Sequence, residues 1–163
     1  MARRVYFAFH YQQDITRVNV VRNSGMIAGN DQAGFFDASL WEKAQNTSDD
    51  ALKRMIDNGL KGTSVTVFLL GSETAGRPWV RYELLKSCEI GNGLLAVHIH
   101  QIKNFKGFPS FKGANIFDQF QTDTVPGRTT LLSSIYKTYD WISDSGYDNF
   151  GKWVEQAAKD AGR

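Results

Sequence analysis

A single cysteine, Cys88, leaves this chain without an internal disulfide, which points to a reducing compartment. No stretch approaches the roughly 18 apolar residues of a membrane span, and the apolar run after Arg3-Arg4 is short and lacks a cleavage pattern. A cytoplasmic protein with no membrane partner is expected. Basic residues form no run and the net charge is only +2, so nonspecific nucleic-acid binding is not expected either. No internal repeat is visible. What remains is ordinary for a globular chain: 163 residues, 42% hydrophobic and 22% charged, enough for one domain over 1–163 with a sizeable core.

The most informative stretch runs from 65 to 89. Val65-Thr66-Val67-Phe68-Leu69-Leu70 is a β-branched, apolar run ended by Gly71-Ser72, the pattern of a strand covered on both faces. Pro78 then marks a helix start, because its missing N–H costs nothing at the first helical position. Helical spacing puts Val80, Leu84 and Cys88 on an apolar stripe, making Cys88 a core thiol, and sets Trp79 and Glu83 together at its rim.

Around that unit the chain alternates. A first strand spans 4–9, His10 to Asp14 form a polar turn, and 15–26 reads as a helix. After three glycines, Phe35-Phe36-Asp37 suggests a short edge strand. Ser48 with Asp49 and Asp50 starts a helix whose face is Leu52, Met55, Ile56 and Leu60, closed by Gly59 and Gly62. A buried strand at 94–99 follows, then an irregular excursion over 101–130 holding Phe105, Phe108, Phe111, Phe117 and Phe120. So many aromatics are expected to pack on the domain or on a partner. A strand at 135–139 and an amphipathic helix at 149–161 close the chain.

Strands alternating with helices predict an α/β fold: a flavodoxin-like three-layer sandwich around a five-stranded parallel sheet. Ligands of such sheets bind at the carboxyl ends of strands where strand order reverses, which would set Phe9-His10-Tyr11 beside Gly71-Ser72-Glu73. There is no glycine-rich dinucleotide fingerprint and no phosphate loop with a lysine. A receiver domain would need an acidic pair after the first strand, where this chain has His10-Tyr11, and His10-Tyr11-Gln12-Gln13 is no flavodoxin phosphate cradle. His98 and His100 share a strand face, but no carboxylate or cysteine is seen near them, so no metal site is expected. What is left is an aromatic crevice with one carboxylate.

Four blocks carry a resemblance: Phe7-Ala8-Phe9-His10-Tyr11, Phe36-Asp37-Ala38-Ser39-Leu40-Trp41-Glu42, Thr63-Ser64-Val65-Thr66-Val67, and Arg77-Pro78-Trp79-Val80-Arg81-Tyr82-Glu83. Together they resemble the TIR-like domain of Thoeris anti-phage defence sensors. Leu132 to Trp141 and Gly146-Tyr147 resemble that family's C-terminal part, while the segment between Gly113 and Leu131 looks shorter. The Trp79 to Glu83 spacing is the family's W-x-x-x-E pattern, weak alone and fairly specific in this order.

The resemblance implies an enzyme that breaks the nicotinamide–ribose bond of NAD, its substrate rather than a bound cofactor. The product would be a cyclic or conjugated ADP-ribose signal, a diffusible nucleotide that switches on a separate effector. It implies Glu83 as the catalytic carboxylate and Phe9, His10, Tyr11, Asp37, Trp41, Ser72, Trp79 and Arg81 as substrate-binding residues. Homo-oligomerisation is left open. The residues themselves keep blander readings open: a lone helical glutamate is ordinarily a solvated charge, Trp41 and Trp79 could be core, His10 a turn histidine, and Arg81 a partner for an acid. A non-catalytic TIR-like interaction or nucleotide-sensing module is the alternative.

Overall fold

The computed structural model describes residues 3–24, 32–33 and 38–163. The elements in order are β1 (Val5–Ala8), α1 (Tyr11–Arg22), β2 (Gln32–Ala33), α2 (Ala38–Thr47), α3 (Asp49–Leu60), β3 (Val65–Leu70), α4 (Pro78–Glu89), β4 (Gly93–His98), β5 (Gln121–Val125), β6 (Arg128–Leu131), β7 (Lys137–Asp140) and α5 (Gly146–Asp160). The chain is α/β, as expected, and its main sheet runs β2-β1-β3-β4-β7 with every pairing parallel. Strand order reverses between β1 and β3.

Alternation along β1 sorts the core into two layers. Val5, Phe7 and Phe9 pack with α1 and α5 on one face, through Val18, Val21, Phe150 and Val154. Tyr6 and Ala8 point to the other face, among Leu52, Ile56 and Leu60 of α3 and Val80 and Leu84 of α4. β1, β3 and β4 are buried along their whole length, as parallel strands covered on both faces must be. Each large apolar side chain so buried contributes about 1.5–3 kcal/mol.

Local signals placed several boundaries. Ser48 caps α3 by accepting from the Ala51 N–H at 3.0 Å, and Pro78 is the first residue of α4. Gly59, however, lies inside α3, which runs on to Leu60. The polar turn expected at 10–14 is the first turn of α1, because the His10 side chain caps that helix instead of leaving the strand as a loop. The edge strand expected at 35–37 lies outside the described residues, and α2 was not foreseen. The excursion over 101–130 is not wholly irregular: β5 and β6 form an antiparallel hairpin turned at Pro126-Gly127. Its aromatics divide. Phe117 is fully buried and Phe120 partly so, whereas Phe105, Phe108 and Phe111 are exposed.

Candidate functional site

Three chain segments converge at the carboxyl end of β1. Phe9 leaves the strand, His10 caps α1 and Tyr11 opens it, while Arg77 caps α4 across the gap. Between them lies a cavity of about 140 Å³ lined by Phe9, His10, Tyr11, Gln12, Trp41, Gln45, Arg77, Trp79 and Val80. Phe9 and Tyr11 rings are 4.2 Å apart, and Tyr11 stacks on Trp41 at 4.5 Å and 20°. The walls are therefore largely planar and aromatic, and Arg77 is the cation among the lining residues. A space this size accepts one planar ring, well short of the several hundred Å³ of a pocket that engulfs a whole ligand.

Glu83 follows Trp79 and Val80 by one helical turn on α4 and does not line the cavity itself. Far from sitting at an exposed rim, it is 1% exposed. Its Oε1 accepts a 2.7 Å hydrogen bond from the Tyr6 hydroxyl, and its Oε2 is buried with no hydrogen-bond partner among the described residues. Burial pushes its carboxyl up to about 8, opposed in part by the Tyr6 bond. The same burial, with Glu83 beside it, keeps Tyr6 protonated well above the usual phenol range, so Tyr6 remains a donor.

The predicted stripe on α4 was rotated. The buried residues are Val80, Glu83, Leu84 and Ser87, and Cys88 is exposed rather than a core thiol. Ser87 is buried because its hydroxyl bonds Thr66 of β3 at 2.8 Å. Two polar residues thus face the sheet, each bonded to a distant strand, Ser87 to β3 and Glu83 through one oxygen to β1.

Of the sequence-derived candidates, Phe9, His10, Tyr11, Trp41 and Trp79 come together at the cavity. His10 also does structural work: its Nδ1 accepts from the Gln13 N–H at 3.4 Å, and burial and Arg77 lower its basicity, leaving a neutral ring. Arg81 is not brought to the cavity. Two residues beyond Trp79 it projects from another side of α4, donating to the Ala75 carbonyl at 3.3 Å and Gln119 at 3.0 Å. Ser72 is half-buried in the turn after β3 and does not line the cavity. Asp37 lies outside the described residues.

The end of β3 is closed by a second buried carboxylate that the sequence reading passed over. Asp14, in the first turn of α1, is fully buried, and burial raises its carboxyl to about 6. It accepts from Thr74 at 3.4 Å, stands 3.8 Å from the Arg17 guanidinium, and presses so closely on Gly71 that a Cβ there would lie 2.1 Å from Oδ2. Arg17 in turn donates to the carbonyls of Ile102 at 2.7 Å and Phe108 at 3.1 Å. Gly113 packs on the same turn, where a Cβ would stand 2.0 Å from the Gly71 carbonyl oxygen. The expected crevice between Tyr11 and Ser72 is therefore filled, and the open cavity lies towards α2 and α4.

Tyr6, Arg77 and Gln45 were also missed. For Tyr6 a signal existed: on a buried strand its hydroxyl needs a hydrogen-bond partner. His98 and His100 do meet a carboxylate, since β7 brings Asp140 Oδ2 to 3.9 Å from His100. No cluster of three metal-ligating side chains occurs among the described residues, and none of their helices is long and apolar enough to cross a membrane.

Residues 6–104 match the family model described as Thoeris protein ThsB, TIR-like domain. The chain is also similar to a protein of Bacillus cereus (strain MSX-D12) named "Putative cyclic ADP-D-ribose synthase ThsB1". The two are 42% identical over an alignment covering 94% of this chain and all of that one.

Proposed function

Because the chain belongs to the ThsB TIR-like family of Thoeris proteins, we propose that it cleaves NAD and converts it to a cyclic or conjugated ADP-ribose signal that activates a separate effector in anti-phage defence. We read the chain as one TIR-like domain with a flavodoxin-like strand order, acting in the cytoplasm on NAD as substrate, with no bound cofactor.

One observation carries the reading: Glu83 is a buried carboxylate with an uncommitted oxygen, one helical turn along α4 from Trp79 and Val80, which line an aromatic cavity sized for a single ring. Nicotinamide in NAD is cationic and leaves neutral, taking the bonding electron pair onto its ring nitrogen, so no general acid is required. The positive charge that develops on the ribose is what needs stabilisation, and one carboxylate in a dry site can supply it. Glu83 takes that role through Oε2, with Tyr6 fixing Oε1; it is half of the pair an ordinary glycosidase uses. A cationic substrate favours the ionised form and draws the Glu83 carboxyl down from about 8 as it binds.

Phe9, Tyr11, Trp41 and Trp79 stack the nicotinamide ring, and His10 borders it. Arg77, the cation among the lining residues, pairs with the diphosphate in place of Arg81, which does not line the cavity. Asp37 and Ser72 belong to the same proposal as outer contacts to the rest of the dinucleotide. Water is scarce in such a pocket, which favours attack on the ribose by the substrate's own nucleophile over hydrolysis. Mass spectrometry of nucleotides from infected cells carrying wild type or Glu83→Gln tests this. An ADP-ribose product and released nicotinamide are expected with wild type only. Equal products from both would remove Glu83 from the mechanism, and none from either would favour a non-catalytic module.

A further inference from the structure

The amino edge of the sheet carries a second cavity, of about 710 Å³ and open to solvent, where α3 and α4 end. The proposed reaction leaves it unused. Trp79 and Val80 line the aromatic cavity from the start of α4, whereas Lys86 and Ile90 line this one from the far end of that 12-residue helix, about 18 Å long. Its lining concentrates charge of one sign: Arg54, Lys61, Lys86 and Arg163 stand against one carboxylate, Asp57. A chain with a net charge of only +2 thus gathers a net +3 around a single recess. Such clefts focus the field and draw in counter-ions.

Which of those charges are available follows from their partners. Lys86 is paired with Glu89 at 3.3 Å, and Asp57 Oδ1 accepts from the Tyr82 hydroxyl at 2.8 Å. The Arg163 guanidinium is spent on backbone, donating to the Ile90 carbonyl and, at 3.2 Å, to that of Gly91. Arg4 donates to the Lys61 carbonyl at 2.8 Å, and Thr63 donates to the Leu60 carbonyl from its N–H at 3.1 Å and its hydroxyl at 2.6 Å. The carbonyl ends of α3 and α4 would by themselves disfavour an anion; these donors cap them. By contrast, the side chains of Arg54 and Lys61 have no hydrogen-bond or ion-pair partner among the described residues, and neither do those of Asn58 and Ser64, which also line the recess.

We infer that this recess binds a phosphorylated sugar, free or as the phosphate end of a nucleotide. A phosphomonoester carries about 1.5 to 2 negative charges at neutral pH, which the two uncommitted cations match. Arg54 and Lys61 are the charged donors to its oxygens, the fork of Arg54 suiting phosphate geometry, with the Asn58 amide and the Ser64 hydroxyl as neutral donors. Asp57 Oδ2, left over by Tyr82, accepts a sugar hydroxyl and selects against an anion that has none. Leu60 and Ile90 supply apolar lining for the carbon skeleton, and the volume is that of a small-molecule site. The inference does not depend on the NAD reading.

Titration of the ¹⁵N-labelled full chain with ribose 5-phosphate tests it, with ribose and inorganic sulfate as controls. The ester should saturate at one per chain and move the amide signals of Lys61, Gly62 and Ser64, leaving those of His10 and Gln12 at the aromatic cavity in place. Ribose should not bind, and sulfate should bind more weakly than the ester. Arg54→Gln/Lys61→Gln alters two exposed, unpartnered side chains, so it should melt as wild type does while binding the ester at least about tenfold more weakly. A parallel titration with AMP separates the sources: the tighter of the two ligands at these same amides is the kind the recess selects. Absence of saturable binding, binding unchanged in the double variant, or sulfate held as tightly as the ester would each overturn the inference. So would capture by vesicles bearing phosphatidylinositol phosphate, with the same dependence on Arg54 and Lys61, when neither free ester binds.

Discussion

Replacing Glu83 by glutamine should abolish NAD cleavage and, at neutral pH, stabilise the protein. In the unfolded chain the carboxyl loses its proton near 4.5, whereas burial in the folded state holds that proton up to about 8. Below 4.5 both states are protonated and nothing is lost. As pH rises from 4.5 towards 8 the unfolded state ionises first, so the native state loses stability, and above 8 the loss is complete. At about 1.4 kcal/mol per pH unit, the fall is about 3 kcal/mol by pH 7 and about 4 kcal/mol by pH 8, as upper bounds that solvent relaxation reduces. Glutamine keeps the shape and cannot ionise, so its stability should not fall over this window. Urea unfolding of both proteins at pH 4.5, 6, 7 and 8 measures the difference, with equal slopes checking that the unfolded states match. The baseline at pH 4.5 depends on how the new amide is satisfied; the divergence above it does not. Stability curves that stay parallel across the window would refute the claim that the buried carboxyl is held neutral. A variant that diverges as expected but still turns over NAD would refute the catalytic assignment alone.

Two further perturbations probe the surroundings of that group. Tyr6→Phe removes the donor to Oε1, so the Glu83 carboxyl should rise further above about 8 and the pH limb of kcat/KM should move with it, at a stability cost of about 1–3 kcal/mol; an unmoved limb would show that another group titrates. Arg17→Met leaves Asp14 buried without its neighbouring cation and frees the Ile102 and Phe108 carbonyls. It should cost about 3–5 kcal/mol in urea unfolding and speed amide exchange at Asn104 and Gly107, whereas unchanged exchange there would show that the loop does not rely on its clamp.

The parts of the fold legible in the sequence were those with local causes. Val65–Leu70 reads as a buried strand because consecutive β-branched and apolar residues suit nothing else, and Pro78 and Ser48 announce helix starts through their own backbone chemistry. What escaped was set by contacts distant in sequence. Ser87 and Glu83 look like a solvated helix flank until Thr66 and Tyr6, 21 and 77 residues away, supply their hydrogen bonds. Once those are counted, the buried face of α4 turns and Cys88 swings out. The β5–β6 hairpin escaped for a different reason: its strands are polar and largely exposed, and only Pro126-Gly127 marked the turn. The cavity's aromatic half was legible because Phe9 and Tyr11 sit at a strand end; of the arginines of α4 and its cap, Arg77 lines the cavity and Arg81 does not.

Three carboxylates packed around the sheet separate structural work from chemistry. Asp140 accepts two backbone N–H groups on one oxygen and Gln101 on the other; despite the burial that opposes it, those bonds hold its carboxyl below the ordinary value, as for a group that stabilises the fold by being charged. Asp14 is buried and raised to about 6, but it has Arg17 beside it and Thr74 upon it, and together they lock the turn after β3. Among the described residues no cation offsets the burial of Glu83, and one hydrogen bond satisfies only one of its oxygens. Above pH 4.5 it destabilises the fold, and a leucine or glutamine at that position would meet the packing requirement at lower cost. A buried carboxylate held at such expense, with an oxygen still free one helical turn along α4 from an aromatic cavity, is explained by a positive charge that arrives only during a reaction.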